Sequence, residues 1–195
     1  FDITEYVRPG ENLIALEIFR WCDGTYLEDQ DFFRFTGLAR DTYISAREKK
    51  RIEDINVVAS ASGKADVKVE VTKGVTSVDV EILDPSGKSV VSKRLAVNPK
   101  SVSERKLPVV GAVLEVPSPK LWSAETPWLY TLKVASYDKK GRTEATSIEI
   151  GFRDVKIEGG QLLVNGKPVL IKGANRHEIN PYKGYVVSEE DMKND

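Results

Sequence analysis

The feature that most constrains this chain is an alternation of apolar and polar residues with a period of two. In ADVKVEV (65–71) three valines alternate with Lys68 and Glu70, and SVDVEIL (77–83) repeats the pattern. Successive side chains of a strand point to opposite faces, so this alternation predicts strands with one buried and one solvated face.

Turn residues separate these stretches about every ten residues. DPSG (84–87) and KKGR (139–142) place Pro and Gly where tight turns need them, and no helical period is found between residues 52 and 150. Short alternating strands at this spacing predict an all-β fold, an immunoglobulin-like antiparallel β-sandwich. The Cys…Trp…Cys pattern of antibody domains is absent, so the likeness is one of architecture.

The two ends of the chain have other patterns. Residues 1–46 hold apolar stretches on either side of PGEN (9–12), followed by an aromatic and acidic loop, which indicates a strand-loop-strand segment. Near the other end, an Asn165-Gly166 hairpin turn lies between two apolar runs. A loop over 174–187 then leads to SEED (188–191), a capping box that predicts a helix start and so completes one βα unit.

Charge and composition limit the possible partners. The chain has 29 Lys+Arg and 30 Asp+Glu, and it holds no apolar run long enough to span a bilayer. We therefore expect neither a nucleic-acid nor a membrane partner. A single cysteine, Cys22, cannot form an internal disulfide, so the compartment stays open between the cytoplasm and the periplasm. The chain begins at Phe1 within a strand pattern, which indicates a piece of a longer protein.

His177 is the only histidine, and it follows the strand predicted at 169–171. In a (β/α)8 barrel the chemistry is located in loops at the C-terminal ends of the strands, so a long loop there favours a functional role. A lone histidine near a chain terminus is more often a surface or structural residue, and the spacing alone does not decide between the two.

Three separated segments carry a family resemblance: RWCDGTYLEDQDFFRFTGLARD (20–41), PKLWSAETPWLYTL (119–132) and GFRDVKIEGGQLLVNGKPVLIKGANRHEINP (151–181). In that order they resemble the sugar-binding jelly roll, the immunoglobulin-like sandwich and the catalytic barrel entrance of family 2 glycoside hydrolases. The acidic loop and the NRHE form resemble bacterial β-galactosidases more than β-glucuronidases or β-mannosidases, which stay open as alternatives.

The resemblance implies three domains: the end of a jelly roll (1–46), the sandwich (47–151) and the first βα unit of a (β/α)8 barrel (152–195). It implies a retaining hydrolase for terminal β-D-galactose, with both catalytic glutamates beyond residue 195 and this chain inactive alone. Sodium and magnesium are implied for the full-length enzyme, with none held by this piece. The implied partners are a β-galactoside and the rest of the polypeptide, with a homo-oligomer as one implied assembly of the longer protein.

The resemblance assigns roles to two residues. His177 matches a histidine that lines the galactose subsite and stabilises an oxocarbenium-like transition state through hydrogen bonds. Asp31 matches an aspartate that binds sodium and galactosyl hydroxyls, and a carboxylate oxygen suits such a hard cation. The alternative for the acidic loop is a solvated turn. We expect Arg176 and Glu178 to pair or orient outside the subsite.

Other conspicuous residues have structural explanations. Trp122 and Trp128 are expected to fill a core or a domain interface, although a sugar platform is the alternative. Cys22 is expected to be buried or passive. The basic run at 47–51 is expected to be a solvated linker. A hypothesis of a different class is a noncatalytic binding or spacer module built on the sandwich.

Overall fold

The computed structural model describes residues 1–28, 37–38 and 41–194. The chain divides into two compact units, one formed by residues 46–172 and the other by residues 1–45 together with 173–195.

The first unit is an antiparallel sandwich of two sheets. One sheet has the strand order β1-β2-β5 and the other β4-β3-β6-β7. Their bounds are β1 (Ile52–Ala59), β2 (Lys64–Val71), β3 (Ser77–Leu83), β4 (Ser89–Ala96), β5 (Val109–Glu115), β6 (Tyr130–Asp138) and β7 (Gly141–Ile150). The predicted immunoglobulin-like sandwich is confirmed.

The period of two in the sequence becomes the core of the sandwich. In β2 the apolar residues from Ala65 to Val71 are fully buried, whereas Lys64, Asp66 and Lys68 are exposed. The inward faces of both sheets form one hydrophobic cluster that also includes Phe152 after β7. Burial of these side chains is the main favourable contribution to folding, at roughly 1.5–3 kcal/mol for each large one.

The one buried polar side chain among the described residues is satisfied within its own hairpin. Ser136 on β6 is fully buried, and its Oγ lies 2.8 Å from Oγ1 of Thr143 on β7. The Thr143 hydroxyl also lies 3.1 Å from the Ser136 carbonyl oxygen, to which it donates. A buried hydroxyl without such a partner would destabilise the fold by about 1–3 kcal/mol.

The basic run before β1 is solvated, as expected, but it is also attached to the sandwich by ion pairs. The Arg47 guanidinium lies 3.0 Å from Glu144 on β7, and Lys50 Nζ lies 2.6 Å from Asp138 Oδ2. The Thr72 hydroxyl donates to the Lys49 carbonyl. This attachment was not predicted, because a charged run does not reveal which acidic residues the sheet places opposite it.

A small separate sheet follows the sandwich, with the strand order β10-β9-β8. Its strands are β8 (Val155–Glu158), β9 (Gln161–Val164) and β10 (Lys167–Pro168). The predicted Asn165-Gly166 turn joins β9 to β10, and both residues have positive φ, 51° and 76°. A second turn of this kind, Gly159-Gly160, was not predicted. The strand predicted at 169–171 does not form. Ladder pairing with β9 ends at Pro168, and in the described structure the last bond toward β9 runs from the Val169 N–H to the Leu162 carbonyl at 2.9 Å.

Asn165 attaches this small sheet to the sandwich. Its side-chain amide donates to the Trp122 carbonyl at 3.0 Å, and its Oδ1 accepts from the Asp154 backbone N–H at 3.0 Å. Its own N–H donates to the Asp154 carbonyl at 2.9 Å, and the Asp154 carboxylate accepts the Ala61 N–H. Gly151 lets Trp122 approach closely, since a Cβ there would lie 2.9 Å from the Trp122 Cβ.

The second unit contains little regular structure in its described part. It holds α1 (Asp23–Leu27) and α2 (Glu189–Asn194), and its described residues include no strand of the expected jelly-roll segment. A strand needs a neighbour for its backbone groups and cover for its apolar face, and Leu13 and Phe19 are exposed here. Neither helix among the described residues is long and apolar enough to cross a bilayer.

Candidate functional site

His177 lies in the second unit, in the loop between β10 and α2, with its side chain exposed to solvent. It is therefore not a core residue of the sandwich, and its exposure agrees both with a functional role and with the surface alternative. The residues on either side pair with each other, as expected, with Arg176 Nε 3.4 Å from Glu178 Oε2. The two flanking charges thus pair with each other, and the group of this segment with a predicted sugar contact is the imidazole of His177.

The loop after His177 is shaped by a turn at Asn180. The Asn180 N–H donates to the Gly184 carbonyl at 2.7 Å, and the reverse bond is 2.9 Å. The Asn180 side-chain oxygen accepts the N–H groups of Tyr182 and Lys183. An asparagine that bonds to the backbone two residues ahead stabilises a turn locally, so this part of the loop has a defined path.

The helix predicted at SEED (188–191) begins there, and its capping box is formed. The Asp191 N–H donates to Ser188 Oγ at 3.1 Å, while Asp191 Oδ2 accepts the Ser188 N–H at 2.8 Å. These bonds from Ser188 lower the pKa of Asp191, and the nearby cations Lys183 and Arg176 lower it further. The Asp191 carboxylate at the start of α2 is thus stabilised in its ionised form. The positive charge of Arg176, next to His177, contributes to this stabilisation.

The acidic loop that resembles the sodium-binding loop begins as helix α1. Cys22 precedes this helix and is exposed, so of the two expected states, buried or passive, the buried one is wrong; its Sγ lies 3.4 Å from the Thr25 hydroxyl. That hydrogen bond lowers the pKa of the thiol. Asp31 lies outside the described residues, so the structure does not test whether it and His177 share a site. No group of three or more potential metal ligands occurs in the described part of the chain.

Trp122 and Trp128 each make a cation–π contact within the first unit. The guanidinium of Arg153 lies 4.7 Å from the ring centre of Trp122, and Lys120 Nζ lies 4.1 Å from that of Trp128. Trp122 also accepts the bond from Asn165 at the start of the small sheet. Trp122 is half-buried, in agreement with the structural role expected for it. Trp128 is 42% exposed and does not fill the core, and its place in a domain interface stays a prediction. The attachment of the small sheet to the sandwich through Asn165 was not predicted, because Asn165-Gly166 indicated only a turn.

Comparison with protein families divides the whole chain into three consecutive matches. Residues 1–47 match the sugar binding domain of glycosyl hydrolases family 2, and residues 50–153 match the family 2 model itself. Residues 155–195 match the TIM barrel domain of the same family. The small sheet therefore falls in the barrel match, although it is compact with the sandwich.

The chain is similar to bacterial β-galactosidases over its full length. It is 37% identical to the β-galactosidase of Photobacterium profundum, 38% to that of Enterobacter cloacae and 36% to that of Staphylococcus xylosus, with 100% of the chain aligned each time. It spans 20%, 20% and 18% of these proteins, about a fifth of their length.

The fold is also similar to solved structures of a β-glucuronidase from Ruminococcus gnavus. In the complex of that enzyme with D-glucuronic acid, the alignment covers 84% of this chain and 27% of the enzyme, with a TM-score of 0.64 and 26% identity. The apo form aligns over 74% of this chain and 23% of the enzyme, with a TM-score of 0.59 and 27% identity.

Proposed function

The chain belongs to glycosyl hydrolases family 2, and from this premise we propose that it is part of a retaining β-galactosidase that hydrolyses terminal non-reducing β-D-galactose residues. One observation carries the proposal: the family's sugar-binding, central and barrel models match consecutively along a chain whose full length aligns with β-galactosidases. In a retaining enzyme one carboxylic acid protonates the leaving oxygen while a carboxylate attacks the anomeric carbon.

In this proposal His177 binds the galactosyl unit and donates a hydrogen bond that strengthens as charge develops on the sugar. Its exposure supports the role, because a histidine enclosed in the sandwich core could not contact a substrate. The defined turn at Asn180 and the cap at Ser188 support a loop whose path is set by local hydrogen bonds. A donor held in position before reaction costs little reorganisation in the transition state.

Asp31 is proposed to bind sodium and galactosyl hydroxyls in the longer protein, where sodium and magnesium act as cofactors. Carboxylate oxygen is the ligand type that both ions prefer. This piece alone is proposed to hold neither ion, with the remaining ligands supplied by the rest of the longer protein.

By itself the 195-residue chain is proposed to be inactive. Its barrel match covers only residues 155–195, whereas a (β/α)8 barrel takes about 250 residues. The catalytic glutamates would lie on later strands of the longer protein, with the rest of the polypeptide as the partner of this segment. The longer protein is proposed to act as a homo-oligomer, without nucleic acid or membrane.

The test is expression of the longer reading frame and assay on a chromogenic β-D-galactoside. We expect His177→Ala to lower kcat/KM by about 10²-fold or more, since removal of one transition-state donor has effects of that order. Lys172→Ala, which removes an exposed charge from the same segment, should leave kcat/KM nearly unchanged. Equal activities of His177→Ala and the unmodified enzyme would overturn the role of His177.

Turnover by the 195-residue chain alone would overturn its proposed inactivity. The check is the rate of galactoside hydrolysis against concentration of purified chain, expected to stay at background. A rate proportional to concentration, in a preparation from a host lacking its own β-galactosidase, would contradict the proposal.

A second candidate is a β-glucuronidase, favoured by the similarity to the enzyme from Ruminococcus gnavus. The lower identity of that match, 26% against 37% for the β-galactosidase of Photobacterium profundum, makes it the weaker candidate. Initial rates of the longer protein on β-D-galactoside, β-D-glucuronide and β-D-mannoside distinguish the two, and also the β-mannosidase alternative. Absence of turnover on all three would favour a noncatalytic sandwich module.

A further inference from the structure

A groove between two loops lies at one end of the sandwich. We call it the lysine-rimmed groove, and its volume is about 400 Å³. One wall is the β2–β3 turn and the other is the loop between β4 and β5. It is lined by Lys73, Gly74, Val75, Thr76, Val97, Pro99, Val102, Lys106 and Pro108. Most of the lining is apolar, and no acidic residue contributes to it.

Hydrogen bonds hold the β4–β5 loop in shape without a ligand. The Ser103 N–H donates to the Leu107 carbonyl at 2.9 Å, and the Lys106 N–H donates to the Ser103 carbonyl at 2.9 Å. Val102 and Pro108 form an isolated antiparallel bridge across the loop. The groove is therefore largely preformed, which lowers the ordering cost that binding would otherwise include.

An anchored arginine fixes the loop against the neighbouring sheet. Arg105 Nη2 lies 2.9 Å from Asp54 Oδ2 on β1, and its Nε lies 3.7 Å from Glu70 on β2. Lys106, the next residue, has a positive φ of 59°. A lysine rarely adopts this backbone conformation, and here it occurs in a residue that lines the groove.

The two rim lysines differ from the cations around them. Arg105 and Lys50 both form ion pairs, and the Lys50 side chain lies beside Gly74. Within the described part of the chain Lys73 and Lys106 form no ion pair, and both are exposed. The groove thus combines an apolar floor that includes the buried Val75 with two exposed positive charges on its rim.

We propose that the lysine-rimmed groove binds an acidic, extended peptide segment of a protein partner, with an apolar side chain on the floor and carboxylates beside Lys73 and Lys106. Charge complementarity selects this partner, because the lining carries positive charge only and a basic segment would be repelled. Charge alone would leave the apolar floor uncovered. Val102 is half exposed there, and an apolar side chain of the partner would cover it. This inference is independent of the proposed hydrolase activity.

The test is an NMR titration of the ¹⁵N-labelled 195-residue chain with three synthetic peptides of equal length. The first has a Leu-Phe centre flanked by aspartates, the second replaces the aspartates by lysines, and the third replaces Leu-Phe by Ser-Ser. We expect only the first to shift amide signals of residues 73–76 and 97–108, with an affinity that falls as salt rises.

Charge reversal on the rim separates specific binding from general attraction. The double variant Lys73→Glu/Lys106→Glu should weaken binding of the first peptide by about tenfold or more, whereas Lys64→Glu/Lys93→Glu changes two exposed strand lysines outside the groove and should leave it nearly unchanged. All four positions are exposed, and an unchanged amide spectrum elsewhere verifies the fold. Shifts located elsewhere, equal weakening by both variants, or no binding of the first peptide would overturn the proposal.

Discussion

At the scale of single residues, Asp138 shows how the sandwich fixes a charge. Lys50 Nζ lies 2.6 Å from one carboxylate oxygen, and the other accepts the N–H of Lys140 at 2.7 Å. The hydrogen bond from Lys50 is the larger cause, and together these contacts lower the pKa of Asp138. A hydrogen bond to the charged form favours ionisation, so the β6–β7 turn is built around a carboxylate.

Lys50→Met should raise the pKa of Asp138 toward its ordinary value, but not fully, because the backbone donors remain. The folded-state pKa lies below the unfolded one, so the stabilisation by Asp138 is present above the unfolded pKa and is lost as pH falls through the folded pKa. The side-chain carboxyl ¹³C shift, followed through acid titration, measures this pKa. Lys49→Met removes an adjacent exposed charge as the control, and an equal effect would contradict the assignment to Lys50.

Two valines on neighbouring strands test the contribution of burial. Val67 on β2 is fully buried, whereas Val58 on β1 is 64% exposed. Val67→Ala should lower the free energy of unfolding by about 2 kcal/mol, from lost transfer free energy and the remaining cavity. Val58→Ala should change it by less than about 0.5 kcal/mol. Urea unfolding followed by fluorescence measures both, and similar losses would contradict the assigned core.

At the scale of elements, strands were predictable where their partners are present. The alternation in β2 and β3 is local, and the chain folds the neighbouring strands beside them, so pattern and structure agree. The apolar run at 169–171 has the same local character, but pairing with β9 ends at Pro168, apart from one bond from the Val169 N–H to the Leu162 carbonyl. Sequence pattern states what a strand would bury, whereas pairing decides whether the strand forms.

The attachment of the small sheet to the sandwich depends on the side chain of Asn165. Asn165→Gly keeps a residue that readily adopts positive φ. It removes two side-chain hydrogen bonds, one to the Trp122 carbonyl and one from the Asp154 N–H. Loss of two hydrogen bonds costs about 1–3 kcal/mol, so amide protons of β8 and β9 should exchange about 10- to 100-fold faster, with β2 and β3 unchanged.

The control for this substitution is Lys156→Ala, which removes an exposed ion pair with Glu158 from the same sheet. Its effect on exchange should be small, because surface ion pairs contribute about 0–1 kcal/mol. Unaltered exchange in Asn165→Gly would show that the turn alone holds the small sheet. Equal acceleration in the sandwich strands would show that Asn165 acts on the whole unit.

At the scale of the whole molecule, the residues of the described structure that form the hydrophobic core all lie between Ile52 and Phe152. The unit at 46–172 should therefore resist trypsin longer than residues 1–45 and 173–195, because cleavage needs local opening and a large core opposes it. Timed digestion followed by mass spectrometry should give a main product close to 46–172. Cleavage at similar rates along the whole chain would contradict this.

The sequence predicted the sandwich, its turns, the α2 cap and the family, since each depends on local pattern or on motif resemblance. It did not predict the exposure of Cys22 or the anchoring of Arg47, because both depend on which residues the fold brings near them. The role of His177 stays a prediction, and Asp31 lies outside the described residues. The functional interpretation therefore rests on the family resemblance of the motifs, and not on the geometry around His177.

The small sheet leaves large apolar side chains in contact with solvent. Ile157 is 79% exposed, and Leu170 and Ile171 just after β10 are 78% and 77% exposed. Exposed apolar side chains of this size promote self-association of a purified polypeptide, and its adsorption to column matrices, as its concentration rises. Multimers of this chain observed by gel filtration would then report on adhesiveness at these positions, and would be a poor guide to the stoichiometry of any longer enzyme.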